Sequence, residues 1–162
     1  MTASPTLCLS VTVEHADFDI AQLQRSLQRE NAAHGAIATF TGYVRSEKSS
    51  GNVSAMELEH YPGMTQKSIE AIVHKAAERW PILSAKVVHR VGLLLPGEQI
   101  VWVGISSAHR AAAFSACEFI MDYLKAEAPL WKKEHSEAGE NWVEAKAADG
   151  GRAKRWRHGD AQ

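Results

Sequence analysis

Residues 84–107 read SAKVVHRVGLLLPGEQIVWVGISS, and this stretch decides the fold. Its two outer parts, 84–91 and 99–107, are strand-like runs, and Pro96 and Gly97 between them favour a turn, so the sequence predicts a β-hairpin. From residue 108 onward, apolar side chains recur at helical spacing until Pro129, which predicts a helix at 108–128. The fold therefore includes a hairpin whose second strand leads directly into a long helix.

The rest of the chain divides by the same two periodicities, period 2 for strands and 3.6 for helices. The run at 36–44 is rich in β-branched and aromatic residues and predicts a strand buried on both faces, whereas the polar segment 45–54 predicts a mobile surface loop. Thr65 is the predicted N-cap of a helix at 64–80, and the two glycines at 150–151 predict a break. The predicted strands are 7–13, 36–44, 55–61, 84–91, 99–107, 130–136 and 141–147, and the predicted helices are 17–33, 64–80 and 108–128.

This order of elements indicates the fold class. Hairpins alternate with helical crossovers, so the sequence predicts an α+β protein with a mixed sheet and an additional antiparallel hairpin at 130–147. The chain has 162 residues and no Pro-rich or Gly/Ser-rich linker divides it, so a single domain is expected.

Composition and charge exclude several classes of function. A net charge of -1 gives the molecule no electrostatic reason to bind nucleic acid or an anionic membrane, and no apolar stretch approaches the roughly 20 residues that span a bilayer. The N-terminus lacks the basic and long apolar regions of a secretory signal, so a cytoplasmic protein is expected. Cys8 and Cys117 form neither a CxxC motif nor a disulfide framework, and both are expected to be buried.

No motif in the sequence indicates a resident metal or cofactor. The sequence contains no GxGxxG, GxxxxGK[ST], GxSxG or HExxH, and its histidines show no recurrent ligand spacing. We therefore expect neither a metal site nor a bound cofactor, so the chemistry would come from the side chains themselves.

Basic residues at two turns are candidates for binding an anion. Residues 106–110, SSAHR, join a strand to a helix N-terminus, where backbone N–H groups, hydroxyls, His109 and Arg110 can converge on a phosphate. An ordinary capping turn with two exposed basic residues would have the same sequence. Arg45 lies where a strand meets the polar segment 45–54, and it is either a solvated strand end or an anion clamp.

Two lysines flank the corner that follows the long helix. Lys125 lies in the last turn of that helix, and Lys132 follows Pro129 on the next strand. Neighbouring, partly buried lysines are suited to proton transfer, nucleophilic attack or charge stabilisation, because each disfavours the charge of the other. The alternative is structural, since a lysine at a helix C-terminus complements the helix dipole and a lysine on a strand can simply be solvated.

Helix geometry separates these candidates. His109 and Lys125 are sixteen positions apart, which places them about 24 Å apart if both lie on one helix. They cannot share a compact pocket within one subunit. Either they serve different sites, or a twofold dimer brings the start of one helix to the end of its mate.

Five segments carry a family resemblance. They are ATFTGYVR at 38–45, LEHYPGM at 58–64, SAHR at 107–110, FIMDYLK at 119–125 and APLWKKE at 128–134. In order and spacing they resemble the large, catalytic subunit of molybdopterin synthase, and the resemblance runs from about residue 7 to residue 156. Five collinear segments together are specific where each alone would be weak.

The resemblance implies an α/β-hammerhead fold in a single domain at 1–156, followed by a C-terminal tail at 157–162. It implies a sulfurtransferase of molybdenum-cofactor biosynthesis that converts cyclic pyranopterin monophosphate (precursor Z) into the dithiolene molybdopterin. The implied sulfur donor is a small ubiquitin-like subunit with a C-terminal Gly-Gly thiocarboxylate, in a heterotetramer built on a homodimer of the large subunit. A non-catalytic receptor for a ubiquitin-like tail is the alternative, and Lys125 and Lys132 argue against it.

The resemblance also implies roles for individual residues. Lys125 and Lys132 match the family's essential lysines and are the expected catalytic residues. Arg45, His109 and Arg110 match residues that bind the phosphate and pterin of the substrate, with His109 and Arg110 supplied by the other large subunit of the dimer.

Four further residues complete the implied substrate-binding site. Phe40, Met121 and Glu134 match residues that line the pocket and contact the tail of the partner. Lys146 stands where some relatives carry an arginine of the anion pocket, so the charge is kept but bidentate geometry is lost.

Overall fold

The structure, a computed structural model, describes residues 6–48, 51–137, 139–143 and 147–158. Its strands are β1 (Cys8–Glu14), β2 (Ala36–Tyr43), β3 (Glu47–Lys48), β4 (Gly51–His60), β5 (Ile82–Arg90), β6 (Gly92–Leu94), β7 (Gln99–Ser107), β8 (Leu130–Ser136) and β9 (Gly139–Val143). Its helices are α1 (Ile20–Ser26), α2 (Met64–Arg79), α3 (Arg110–Glu127) and α4 (Ala147–Lys154), followed by a 3₁₀ helix at Arg155–His158.

The first sheet is mixed, with strand order β1-β5-β7-β2. Strand β5 pairs in parallel with β1 and antiparallel with β7, and β7 pairs antiparallel with β2. The β5-β7 pair is the hairpin predicted from residues 84–107, and β6 is a short additional strand in its connection. Because both are central strands, almost every residue of β5 and β7 is buried. The prediction of an α+β fold with a mixed sheet is confirmed.

The second sheet is antiparallel and is centred on β4, with order β3-β4-β8-β9 and β6 also paired with β4. Strands β8 and β9 form the predicted second hairpin. In the β4-β8 register, Lys132 lies opposite Leu58 and Glu134 lies opposite Met56. Residues opposite each other in an antiparallel pair share a face, so both charged residues lie on the face of buried Met56 and Leu58.

Two apolar clusters hold these layers together. The larger cluster packs α2 and α3 onto one face of the first sheet, and Val87, Val103 and Phe119 are almost completely buried in it. The smaller cluster, which includes Leu58 and Val91, joins the inner face of the second sheet to the end of β5. Each fully buried side chain of this size contributes about 1.5–3 kcal/mol to folding, so both layers are firmly placed.

The opposite face of the first sheet carries α1. A Cβ at Gly104 would overlap Trp102 and Leu27, so glycine at this position lets the indole ring and the end of α1 pack directly on the strand. None of the described helices is both long and apolar enough to cross a membrane.

Two predictions for residues 36–54 are wrong. Strand β2 is the edge of the first sheet rather than a strand buried on both faces, and Thr39 and Phe40 are exposed. The apolar composition identifies a strand but not its neighbours. Residues 47–48 form β3 and pair with the start of β4 at Gly51 and Asn52, because backbone hydrogen bonds hold such a ribbon without an apolar face.

The helix predicted at 17–33 is shorter, and its N-cap is Asp19, whose side chain accepts a hydrogen bond from Gln22 N. The helix ends at Ser26, beyond which the backbone of Arg29 donates to His34 Nδ1 instead of continuing the helix. The predicted N-cap Thr65 is also wrong. The N-cap of α2 is Gly63, whose φ of 80° favours glycine, and the buried Thr65 hydroxyl accepts from Tyr61 N and donates to Pro129 O, both at 2.9 Å.

Two further predictions fail for reasons of tertiary contact. The two glycines at 150–151 do not interrupt the secondary structure, because α4 runs through both of them. The helix is held on α3 by Arg152, which forms an ion pair with Asp122. Cys8 is exposed near the start of β1, whereas Cys117 is buried as expected.

Candidate functional site

The long helix α3 sets the layout of the candidate site. It begins where β7 ends and packs back along the first sheet, so its two ends lie at opposite ends of that sheet. His109 is its N-cap, and Lys125 lies in its last turn. The prediction that both residues lie on one helix is confirmed, and about 24 Å of helix separates them.

At the C-terminal end of α3, two lysines from different elements approach one buried histidine. Lys125 is exposed, and Lys132 is half-buried in β8. Burial lowers the pKa of His89, near the end of β5, to about 4. A hydrogen bond with the Arg90 carbonyl opposes this shift, and the positive charges of Lys125 and Lys132 both add to it. The structure thus brings both predicted lysines close enough to His89 for their charges to act on it.

Lys132 and Lys133 are neighbours in the chain but lie on opposite faces of the second sheet. Lys132 shares the inner face with buried Leu58. Lys133 lies on the outer face, where its Nζ is 2.7 Å from Glu140 Oε2 and 5.6 Å from the centre of the Trp142 ring. The hydrogen bond to Glu140 raises the pKa of Lys133. Only the inner of these two lysines adds its charge to the pKa shift of His89.

Arg45 follows the edge strand β2 at the same end of the first sheet as His89. Tyr43 pairs with Gln99 at the start of β7, and His89 pairs with Val101 two residues further on. The side chain of Arg45 is exposed. The sheet register therefore places Arg45 at the lysine end of the molecule rather than at the end where α3 begins.

Three other residues with expected roles lie near the lysines or Arg45, on β2, α3 and β8. Phe40 is 40% exposed on β2, with its ring against Gly42, where a Cβ would lie 3.4 Å from the ring. Met121 is half-buried on α3, one turn before the predicted catalytic lysine. Glu134 is half-buried on β8, on the same face as Lys132.

The start of α3 presents a second group of cations. His109 and Arg110 are both exposed. The Ser107 hydroxyl accepts a hydrogen bond from His109 N and donates one to Pro81 O, which fixes the turn before the helix. A Cβ at Gly35 would overlap the Ala108 carbonyl oxygen, so glycine lets the chain enter β2 beside this turn. Within one chain, the structure does not bring this group to the lysine end.

Residues 13–127 match the family model described as MoaE protein. This chain belongs to the MoaE family. It is 48% identical over 148 residues to the molybdopterin synthase catalytic subunit of Pseudomonas aeruginosa, a match that covers 91% of this chain and 99% of the relative.

Solved structures agree with the family assignment. The molybdopterin biosynthesis MoaE protein of Burkholderia ambifaria is 46% identical with a TM-score of 0.77, covering 94% of this chain and 99% of that one. A Helicobacter pylori chain, solved as a protein-protein complex of subunits 1 and 2 of molybdopterin-converting factor, has a TM-score of 0.69 and covers 84% of this chain and 91% of its own. At 22% identity, the Helicobacter chain shares the fold.

In this MoaE chain, a buried carboxylate braces the helix that carries Lys125. The Asp122 carboxylate accepts hydrogen bonds from Arg152 Nε at 3.0 Å and from Arg155 and Trp156 Nε1, both at 2.8 Å. Burial opposes the charge of Asp122, but the hydrogen bonds from Trp156, Arg155 and Arg152 outweigh it and hold the pKa of that carboxyl below its usual range. These hydrogen bonds fix α4 and the 3₁₀ helix to α3 at Asp122, one turn before Lys125.

Sequence reasoning missed His89 and Asp122. His89 has the same parity as Ala85 and Val87 in the run 84–91, so a period-2 pattern could have placed all three on one buried face. Nothing local marks Asp122, since its partners follow about thirty positions later. Lys146 lies outside the described residues. Within the described ranges, no three His, Cys, Asp or Glu side chains are grouped as metal ligands.

Proposed function

We propose that this protein is the catalytic subunit of molybdopterin synthase. It transfers sulfur from the C-terminal thiocarboxylate of a small ubiquitin-like subunit to cyclic pyranopterin monophosphate (precursor Z), which forms the dithiolene of molybdopterin. The protein is then a sulfurtransferase that works in the cytoplasm. The observation that carries the proposal is the convergence of Lys125, from α3, and Lys132, from the inner face of β8, around the end of β5.

A pair of ammonium groups suits this reaction because its reactants are anions. A thiocarboxylate and a cyclic phosphate both carry negative charge, so Lys125 and Lys132 attract them and stabilise the charge that develops as sulfur adds. A lysine ammonium group can also donate a proton as the cyclic phosphate opens, and the neutral amine that this leaves can accept one. Each sulfur that leaves the tail is replaced on its carbonyl carbon by an oxygen from water, which returns the tail as a carboxylate.

The remaining residues bind and orient the substrates. Arg45 contacts the phosphate, because its exposed guanidinium lies at the lysine end and can donate two parallel hydrogen bonds. Phe40 and Met121 line the pocket, and Glu134 contacts the tail of the partner. Lys146 adds a further cation to the anion pocket.

The proposed assembly is a heterotetramer built on a homodimer of this chain. About 24 Å of helix separates His109 from Lys125, so a site that uses both groups takes His109 and Arg110 from the second copy. The small ubiquitin-like subunit binds at the lysine end, where its tail reaches the pair. The Helicobacter pylori chain that shares this fold was solved in a complex of two converting-factor subunits, which is consistent with such a partner.

The test is a reconstituted reaction with this protein, a thiocarboxylated small subunit and cyclic pyranopterin monophosphate, in which the dithiolene is measured as its oxidised fluorescent derivative. Lys125→Ala and Lys132→Ala are expected to lower kcat about 10²–10³-fold. Lys133→Ala is the matched control, because Lys133 lies on the outer face beside Glu140, and it is expected to keep near-normal turnover.

Two outcomes would contradict the proposal. Equal losses of kcat in Lys132→Ala and Lys133→Ala would show that activity does not depend on which face of β8 carries the lysine. Stable binding of the small subunit without product, in the wild type, would favour a non-catalytic receptor for a ubiquitin-like tail.

A further inference from the structure

His89 occupies a position that the expected set of site residues does not include. It is the next-to-last residue of β5 and pairs with Val13 on one side and Val101 on the other. The same face carries Val87, which is buried under the helices. His89 is therefore buried under the C-terminal end of α3, at the seam where the inner face of the second sheet meets the first.

The hydrogen bond of its ring identifies the tautomer. His89 Nδ1 lies 2.8 Å from the Arg90 carbonyl oxygen, and a carbonyl can only accept, so Nδ1 carries the hydrogen. In a neutral ring, Nε2 is then the acceptor nitrogen. Arg90 is itself fixed, because its guanidinium donates to the carbonyls of His15 and Gln99. The ring is thus held in one orientation by a rigid backbone.

The ring stays neutral near two cations. Burial, together with the charges of Lys125 and Lys132, keeps the pKa of His89 near 4, so the imidazole adds no third positive charge at neutral pH. A carboxylate at this position would pair with the lysines and cancel the charge that an anionic substrate needs. An apolar side chain would provide no hydrogen-bond acceptor at this position.

We propose that His89 is a positioning residue for the lysine pair: in the reacting complex its Nε2 accepts a hydrogen bond from one lysine ammonium and holds that cation in place without neutralising it. This inference rests on the proposed function. The two lysines come from α3 and β8, which are joined through the corner at Pro129. His89 lies at the end of a third element, β5, which the inner face of the second sheet meets through Leu58 and Val91.

The test compares two variants of equal side-chain length in the reconstituted sulfur-transfer reaction. His89→Gln keeps a neutral acceptor near the place of Nε2, and His89→Met removes it. We expect kcat of His89→Met to fall about 10- to 100-fold, the usual loss for a hydrogen bond to a charged group, with KM within about twofold. We expect kcat of His89→Gln to stay within about threefold of the wild type, with the melting temperature and small-subunit binding measured for both variants.

The outcomes separate the two proposals. Wild-type activity in His89→Met overturns the positioning role, and so does an equal loss of kcat in a folded His89→Gln. If His89→Met does not fold, His89→Leu, which also lacks an acceptor, takes its place in the comparison with His89→Gln. If the wild type itself forms no product, the proposed function fails and the positioning role fails with it.

Discussion

The two ends of α3 are built differently. At the C-terminal end, Lys125 is joined by Lys132 from another element, with buried His89 beneath them and the Asp122 brace one turn away. At the N-terminal end, His109 and Arg110 are exposed on a turn that is fixed mainly through the backbone. One chain thus assembles the lysine end by itself, whereas in the proposed assembly the N-terminal cations complete the site of a second copy.

The largest expected effect tests whether the two ends belong to one site. Lys125→Ala and Arg110→Ala each remove one end, and each homodimer is expected to lose most of its turnover. When the two variants are mixed and allowed to exchange subunits, half of the dimers are mixed and each has one intact site, so activity returns to about a quarter of the wild type. The measurement is the rate of product formation before and after exchange.

A control mixture tests whether any two inactive variants recover activity when their subunits exchange. Mixing Lys125→Ala with Lys132→Ala places both defects at the same end, so no mixed dimer contains an intact site and no recovery is expected. Absence of recovery in the first mixture would mean that the two ends of α3 do not share a site across two copies. Recovery in the control would mean that Lys125 and Lys132 of one site come from different chains.

A smaller effect is expected from changing the geometry of the cations while keeping their charge. Arg45 lies near the lysine end of α3, and Arg110 is the first residue of that helix. Arg45→Lys and Arg110→Lys each lose the planar guanidinium that binds phosphate with two parallel hydrogen bonds. We expect each to raise KM for the pterin phosphate about tenfold with little change in kcat. Steady-state kinetics decide this. A fall in kcat with KM unchanged would place the residue near the reacting atoms rather than at the phosphate.

The sequence predicts those parts of this comparison that depend on local pattern. Helical spacing up to Pro129 placed His109 and Lys125 on one helix, and the strand-like run at 84–91 before Pro96 and Gly97 predicted the first strand of the hairpin. Local pattern failed where distant contacts decide. The edge position of β2 depends on its neighbour β7, and α4 forms across two glycines because Arg152 and Arg155 reach back to α3. The roles of the lysines came from family resemblance, since spacing alone left a structural alternative open.

The Asp122 brace allows a test of how the lysine end is held. Asp122→Asn weakens the hydrogen bonds from Arg152, Arg155 and Trp156, and because both arginines are half-exposed we expect a loss of about 1–2 kcal/mol in the free energy of unfolding. This corresponds to a fall in melting temperature of about 3–6 °C. Thermal unfolding at neutral pH measures it, and an unchanged melting temperature would show that the brace contributes nothing.

The same brace predicts a dependence on pH. The folded-state pKa of Asp122 is below the ordinary value of 3.8, so the unfolded chain binds more protons in acid. Its stabilising contribution is therefore complete above about pH 4 and is lost as the pH falls through the folded-state pKa. Below pH 4, the wild type is expected to lose stability more steeply than Asp122→Asn. Parallel acid unfolding curves would contradict this assignment.

The smallest effect is expected midway along α3, where Cys117 lies between the two ends of the helix. Burial, with a smaller contribution from the charge of Glu118, raises the pKa of the Cys117 thiol to about 12, whereas Cys8 is exposed. Iodoacetamide at pH 8 is therefore expected to label the folded protein once, at Cys8, with activity within about twofold of the untreated enzyme, as measured by intact mass and turnover. The folded Cys8→Ser variant is expected to take no label until it is denatured. Labelling of Cys117 at the rate of Cys8 would mean that α3 opens from the sheet, and the rigid separation of its two ends would then no longer hold.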